Sequence, residues 1–246
     1  MNLKVGASAS IARMMVTALV VAVSALGTAS PVIGDAAKDA LEAQQLVEKA
    51  KLTVQSFAAD QATGKAVRDL LKKAKGVYIA PEVLRGAFIV GASGGSGVLL
   101  IRDDKGRWNG PAFYTIGEAS FGFQAGGDKS EVMLLIMSDR GVSSMLASSV
   151  KLGADTSVAA GPVGAGASAE TANLSADILS FSRQKGLFAG ASLEGAVMGK
   201  RDGLNEAYYK KNDVTPTEIL IKGSPTSGNK EAAALKAEIN KLAAAK

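Results

Sequence analysis

Lys65, Arg68, Lys72 and Lys75 are the residues whose type and spacing first suggest a task. Turned at 100° per residue, they fall within a sector of about 80°, while Val67, Leu70, Leu71 and Ala74 occupy the other side. A helix divided in this way can lie at an interface, its cations meeting anionic headgroups at on the order of 1 kcal/mol each. Salt weakens such an attraction. The plainer alternative is a surface helix whose charged side is solvated and whose apolar side packs on a sheet.

Other candidate chemistry is removed by what the chain lacks. It has no histidine and no cysteine, so Ser-His-Asp and Cys-His nucleophiles, imidazole acid–base steps and His or Cys metal sets are excluded. No carboxylate pair stands out as an acid–base couple, and no cofactor or metal is expected. Asp103 and Asp104 invite a calcium reading, yet Asp103-Asp104-Lys105-Gly106 reads better as a hairpin turn. The glycines from 91 to 97 follow G-x-x-G-G-x-G, which fits neither the dinucleotide nor the Walker pattern, so a bulged strand in close packing is expected. Trp108, Phe113, Tyr114, Phe121 and Phe123 alternate as core residues of strands do; an aromatic wall for an acyl chain is the other reading.

The first thirty residues read as a targeting segment. Lys4 and Arg13 precede an apolar run over 14–26, and small residues follow at Gly27, Thr28, Ala29 and Ser30. Cleavage after Ala29 would export the chain to a periplasmic or secreted location, peripheral on a membrane, and lower its formal charge of +5 by two. That balance is too weakly basic to argue for nucleic acid. A retained anchor is the alternative reading. Hydrophobic residues at 47% and charged residues at 21% suit a folded core, and 28 glycines against 6 prolines suggest tight turns and strands in close approach.

The elements that must position the basic residues follow from periodicity. Residues 35–57 carry a helical stripe of Ala43, Leu46, Val47, Ala50, Val54 and Phe57, with Asp35 as N-cap. The basic helix covers 66–74. Strands are predicted over 77–80, 87–90, 98–102, from 107, and over 112–116, 120–125, 131–137, 178–182 and 187–193, with 156–168 extended. A helix is expected from Asp139, as N-cap, to about Val150, with Val142, Met145, Leu146 and Ser149 inward. Thr215-Pro216-Thr217-Glu218 is a capping box opening a short helix. A linker over 223–229 leads to a tail helix over 230–246. Strands with helices before and between them give an α+β fold, and the glycines would let an antiparallel sheet bend into a barrel-like shape.

At this point the residues resemble the SYLF domain family. Ala74-Lys75-Gly76-Val77, Gly91-Ala92-Ser93-Gly94-Gly95-Ser96-Gly97-Val98 and Trp108-Asn109-Gly110-Pro111 are similar to its opening. Gly122-Phe123-Gln124-Ala125-Gly126, Lys151-Leu152-Gly153-Ala154-Asp155 and Ala160-Gly161-Pro162-Val163-Gly164 continue the likeness in order. Its most distinctive piece is Phe181-Ser182-Arg183-Gln184-Lys185-Gly186-Leu187-Phe188-Ala189-Gly190.

The resemblance implies a non-enzymatic protein that binds phospholipids, often phosphoinositides, through a basic N-terminal segment, with actin binding in some eukaryotic members. The chain then divides into a signal peptide (1–29), a helical segment (30–64), a SYLF-like lipid-binding domain (65–223), and a linker with a C-terminal helix (224–246). The expected partner is an anionic phospholipid membrane surface met by Lys65, Arg68, Lys72 and Lys75. A protein partner is the alternative, actin being reachable only after delivery into a eukaryotic cell. Two departures stand out. The family often has glycine after its paired tyrosines, where Tyr208-Tyr209 is followed by Lys210, and many exported relatives carry a lipidated cysteine that this chain lacks.

Overall fold

Nine strands form one sheet, in the order β5-β9-β3-β2-β1-β4-β7-β6, with β8 pairing β7 off this path. The computed structural model describes residues 33–87, 90–121, 126–164, 167–168, 170, 172–184, 187–190 and 193–245. The proposed signal peptide lies outside them. The chain divides into two units, Met1–Ala36 and Ala37–Lys246, and the sheet belongs to the second. Helix α1 (Ile33–Ala59) and α2 (Gly64–Leu71) come first. Four long antiparallel strands follow: β1 (Gly76–Ala87), β2 (Val90–Arg102), β3 (Trp108–Phe121) and β4 (Gly126–Ile136). Then come α3 (Asp139–Met145), β5 (Ser149–Lys151), β6 (Val158–Ala160), β7 (Ile178–Gln184), β8 (Leu187–Gly190) and β9 (Val197–Lys200). Three helices end the described chain: α4 (Asp202–Tyr209), α5 (Pro216–Leu220) and α6 (Lys230–Ala244). The α+β class with a bent antiparallel sheet is as the pattern predicts.

The strands are longer than their apolar runs because one half of each is buried on both faces, while the other half is more exposed, with isolated buried residues such as Val83 and Ile116. Val77 to Ala80, Val98 to Leu100 and Met133 to Ile136 are fully buried, so no alternation shows there. β1 then passes through a bulge. Ile79 pairs with Val98 and Glu82 with Ser96, leaving Ala80 and Pro81 opposite Gly97 alone. Pro81 has no N–H to give a ladder, which suits a bulge. A Cβ at Gly97 would stand 2.5 Å from the Ile79 carbonyl and 2.6 Å from the Tyr78 ring, and one at Gly95 would collide with the Glu82 carbonyl. The glycine-rich run is therefore a strand packed tightly against a bulge, as expected from its spacing. Asp103 likewise closes the β2–β3 turn, accepting from the N–H groups of Lys105 and Arg107 at 2.9 and 2.8 Å.

Several elements differ from the sequence reading. The expected strand over 87–90 is divided: Ala87 closes β1 and Val90 opens β2. The expected strands over 112–116 and the start of 120–125 are one strand, β3, and 122–125 lie outside the described residues. Helix α3 stops at Met145, not near Val150, because Ser149–Lys151 pairs with β9 and buries Val150. Met145 is inward, whereas Ser149 is exposed. The cap of α3 is Ser138, whose Oγ accepts from Gly141 N at 3.0 Å; Asp139 sits in the first turn instead. Asp35 falls inside α1, which opens at Ile33. Over 156–168 only Val158–Ala160 forms a strand, and β8 ends at Gly190. Helix α4 and strand β9 have no counterpart in the sequence reading. The capping box at Thr215 forms as written, with Glu218 N donating to Thr215 Oγ1 at 3.2 Å.

Trp108, Phe113 and Tyr114 are buried, so they are core. Phe121 and Phe123 lie outside the residues whose side chains are described.

Candidate functional site: the basic end of the sheet

Helix α2 is fixed by a tight corner with α1. Asp60 Oδ1 accepts from the N–H groups of Ala62 and Thr63 at 2.8 and 3.0 Å, and Thr63 Oγ1 donates to Phe57 O at 3.0 Å. Gly64 allows the approach, since a Cβ there would meet Ala58 O at 2.5 Å. The apolar face of α2 is spent on the core: Ala66, Val67, Leu70 and Leu71 are fully buried. Part of that face packs on α6, whose Ala232, Leu235 and Ile239 are also buried.

The four basic residues are held in different ways. Lys65 and Lys72 both grip Asp69, at 2.8 and 3.1 Å. Their hydrogen bonds hold the Asp69 carboxyl below the usual carboxylate range. Arg68 is half-buried and donates to the Ala58 carbonyl at the C-terminal end of α1, where a cation is favoured. Lys75 pairs with Asp139 at the start of α3. Asp69 escapes a search for cations, yet its i−4 and i+3 lysines are a readable signal.

The fold adds cations that the helix alone does not have. Arg102 N donates to Lys75 O at 2.7 Å, and its guanidinium donates to Lys72 O at 3.0 Å and Gly106 O at 3.2 Å. This brings the β2–β3 turn beside the end of α2. Lys65, Arg68, Lys72, Lys73, Lys75, Arg102, Lys105 and Arg107 thus share one end of the molecule with Asp69, Asp103, Asp104 and Asp139. Arg107 is paired with Asp103, and Lys73 has no ion-pair partner among the described residues. A groove of about 390 Å³ opens here, lined by Lys73, Lys75, Arg102, Asp104 and Ile221 among others.

Away from this end, buried polar groups do structural work. Asp177 accepts from Arg140 Nε at 2.8 Å, Ser138 Oγ at 2.5 Å, and Ser157 Oγ and N at 2.6 and 3.0 Å. The Arg140 hydrogen bonds lead in holding its carboxyl far below the usual range. Asn205 is fully buried and turns its amide on one residue of β3, accepting from Phe113 N at 2.9 Å and donating to Phe113 O at 3.3 Å. Tyr209 donates to Pro111 O at 2.8 Å. Among the described residues no cluster of carboxylates could hold a metal ion, and no helix is long and apolar enough to cross a membrane.

The family profile described as "Ysc84: Las17-binding protein actin regulator" matches residues 117–242, just over half of the chain. The chain belongs to the Ysc84 (SYLF) family. It is 33% identical over 154 residues to SH3 domain-containing YSC84-like protein 1 of Xenopus laevis, covering 62% of this chain and 46% of that protein. The human protein of the same name is 32% identical over 164 residues, covering 66% and 47%. Protein YSC84 of Saccharomyces cerevisiae is 36% identical over 163 residues, covering 64% and 34%. The chain spans about half the length, or less, of these curated relatives.

The Ysc84 match begins at Gly117, inside β3, so the cations of α2 lie outside it. Within it, the described residues of the Phe181-to-Gly190 string lie in β7 and β8, and Arg183 pairs with Glu131 of β4 and donates to Ser56 of α1. Lys210, where the resemblance implies a glycine, sits at φ 51°, ψ 40°, the left-handed conformation that ends α4.

Proposed function

We propose that the protein binds anionic phospholipid at a membrane surface through the basic end of its sheet, without catalysis. The observation that carries this reading is the gathering of cations there: Lys65 and Lys72 share the single carboxylate of Asp69, Lys73 is unpaired among the described residues, and the Arg102 guanidinium reaches the end of α2 beside Lys75. At about 1 kcal/mol per uncompensated cation near an anionic surface, the surplus supports reversible attachment that fades as salt shortens the screening length. The buried apolar side of α2 leaves little of that helix to insert, so attachment is electrostatic. The same reading takes the segment 1–29 as a signal that exports the chain; mass spectrometry of the exported protein tests it, expecting a mature N-terminus at Ser30.

The central test is co-sedimentation of the chain from Ser30 onward with zwitterionic and anionic vesicles across a salt series. Lys65, Lys72 and Lys75 changed to Gln should weaken binding to anionic vesicles by about tenfold at low salt. Arg68→Gln is read separately, because its guanidinium also holds α1. Binding that is absent at every composition refutes the lipid reading.

A second reading is favoured by family membership. The family's description names a Las17-binding actin regulator, and on this second reading the chain is an adaptor that binds a protein, actin or an actin regulator. Capture of such a partner that survives high salt and detergent supports it; loss of capture in high salt refutes it.

A further inference from the structure

The groove beside α2 has a charge pattern more specific than a basic patch. Its rim carries Lys75 and Asp139, which neutralise each other, and Asp103, whose carboxylate is filled by Lys105 N, Arg107 N and the Arg107 guanidinium. Three charges remain without a counter-ion among the described residues. The side chains of Lys73 and Asp104 are exposed and make no hydrogen bond or ion pair among the described residues, and Arg102 donates to carbonyls without meeting a carboxylate. The apolar part of the lining includes Ile221, which is 47% exposed although it is a large aliphatic side chain.

A ligand that answers all three charges carries a phosphate for Lys73 and Arg102, an ammonium for Asp104, and an apolar stem toward Ile221. We propose that the groove takes the phosphoethanolamine headgroup, a proposal that rests on the reading of this end as lipid-facing. The ammonium is primary because Asp104 offers an acceptor for N–H, and no aromatic residue lines the groove, whereas quaternary ammonium groups are held by aromatic cages. A serine headgroup brings a carboxylate of its own against Asp104 and Asp139. A glycerol headgroup leaves Asp104 without its counter-charge. A volume of about 390 Å³ accommodates a headgroup and the start of its glycerol.

The test compares vesicles of fixed phosphatidylglycerol content in which the remainder is phosphatidylethanolamine or phosphatidylcholine. A second arm titrates the full chain with soluble glycerophosphoethanolamine and glycerophosphocholine, followed by NMR. The expected result is roughly threefold tighter partition onto the ethanolamine vesicles, the scale of one exposed charge pair. The soluble ethanolamine ester shifts resonances of Lys73, Asp104 and Ile221, and the choline ester does not. Asp104→Asn, at a turn position that makes no hydrogen bond, removes both effects while leaving attachment to phosphatidylglycerol vesicles intact. An ethanolamine preference unchanged in Asp104→Asn refutes the groove as its origin. Anionic binding with no ethanolamine preference refutes this proposal and spares the broader one. Failure to bind any vesicle overturns the membrane reading, and the soluble esters then decide whether the groove still selects the headgroup in free form.

Discussion

Replacing Asp177 by Ala should cost the fold about 3 kcal/mol. The carboxylate is 8% exposed and joins residues from two segments to the start of β7: Ser138, which caps α3, with Arg140 in the same helix, and Ser157, just ahead of β6. Alanine strands the hydroxyls of Ser138 and Ser157 and the N–H of Ser157. At about 1 kcal/mol for each such bond, and up to twice that where the acceptor is charged, three lost bonds give about 3–6 kcal/mol. The Arg140 side chain is 66% exposed and rehydrates, so its share is discounted toward the lower end. In a domain of this size the loss is a fall in Tm of roughly 10 °C.

The acid limb gives an independent reading. Because the folded carboxyl titrates below its unfolded value, its contribution is whole above about pH 4. It drains as pH falls toward the folded pKa, since there the unfolded chain binds the proton first. Urea unfolding followed by circular dichroism, from pH 7 down to pH 3, measures both. Asp177→Asn should lie between wild type and alanine at pH 7 and show a shallower decline in acid. An alanine variant within about 0.5 kcal/mol of wild type, or an Asn variant with the wild-type acid slope, refutes the reasoning.

Three other substitutions test separate features. Lys210→Gly should raise stability by about 1 kcal/mol in thermal unfolding, because the αL position costs a side chain more than glycine's added chain entropy; a neutral result would mean that the lysine is unstrained. Gly97→Ala should cost about 3 kcal/mol or prevent folding, while Gly94→Ala, whose Cβ meets nothing nearer than 3.9 Å, should change stability by less than about 0.5 kcal/mol. Equal effects would mean that the bulge yields freely. Asn205→Ala should cost about 2 kcal/mol, because it orphans the buried N–H of Phe113; hydrogen exchange at Phe113 should accelerate with it.

What the sequence makes legible is whatever repeats. The stripe Ala43, Val47, Ala50, Val54 and Phe57 places α1, and Val67, Leu70 and Leu71 place α2, because burial selects residues at helical spacing. The hairpin at Asp103 and the cap at Thr215 are equally plain, since their chemistry is local. Features that depend on partners distant in sequence are not. Asp177 meets residues 20 to 39 positions away, and Asn205 meets Phe113 across 92. Helix α4 is missed because eight residues with a glycine in the second position carry little periodic signal. Val150 looks like a helix end until β9 supplies its ladder. The basic face of α2 is legible as a set of cations, but the clamp of Lys65 and Lys72 on Asp69, and the arrival of Arg102 beside them, need the folded chain.

The amide of Asn205 has a consequence beyond its own hydrogen bonds. Among the described residues, strand β9 pairs with β3 only between Tyr114 and Gly117, so the outer main chain of β3 before that stretch has no strand beside it there. Asn205 occupies both groups of Phe113, Arg201 N adds a second donor to Phe113 O at 2.9 Å, and the Tyr209 hydroxyl covers Pro111 O. Side chains of α4 imitate a neighbouring strand and close a row of main-chain groups that another copy could otherwise extend. Damage to α4 should therefore show itself as polymer growth before it shows as loss of the core: a dilute solution stays clear, and a concentrated one scatters light.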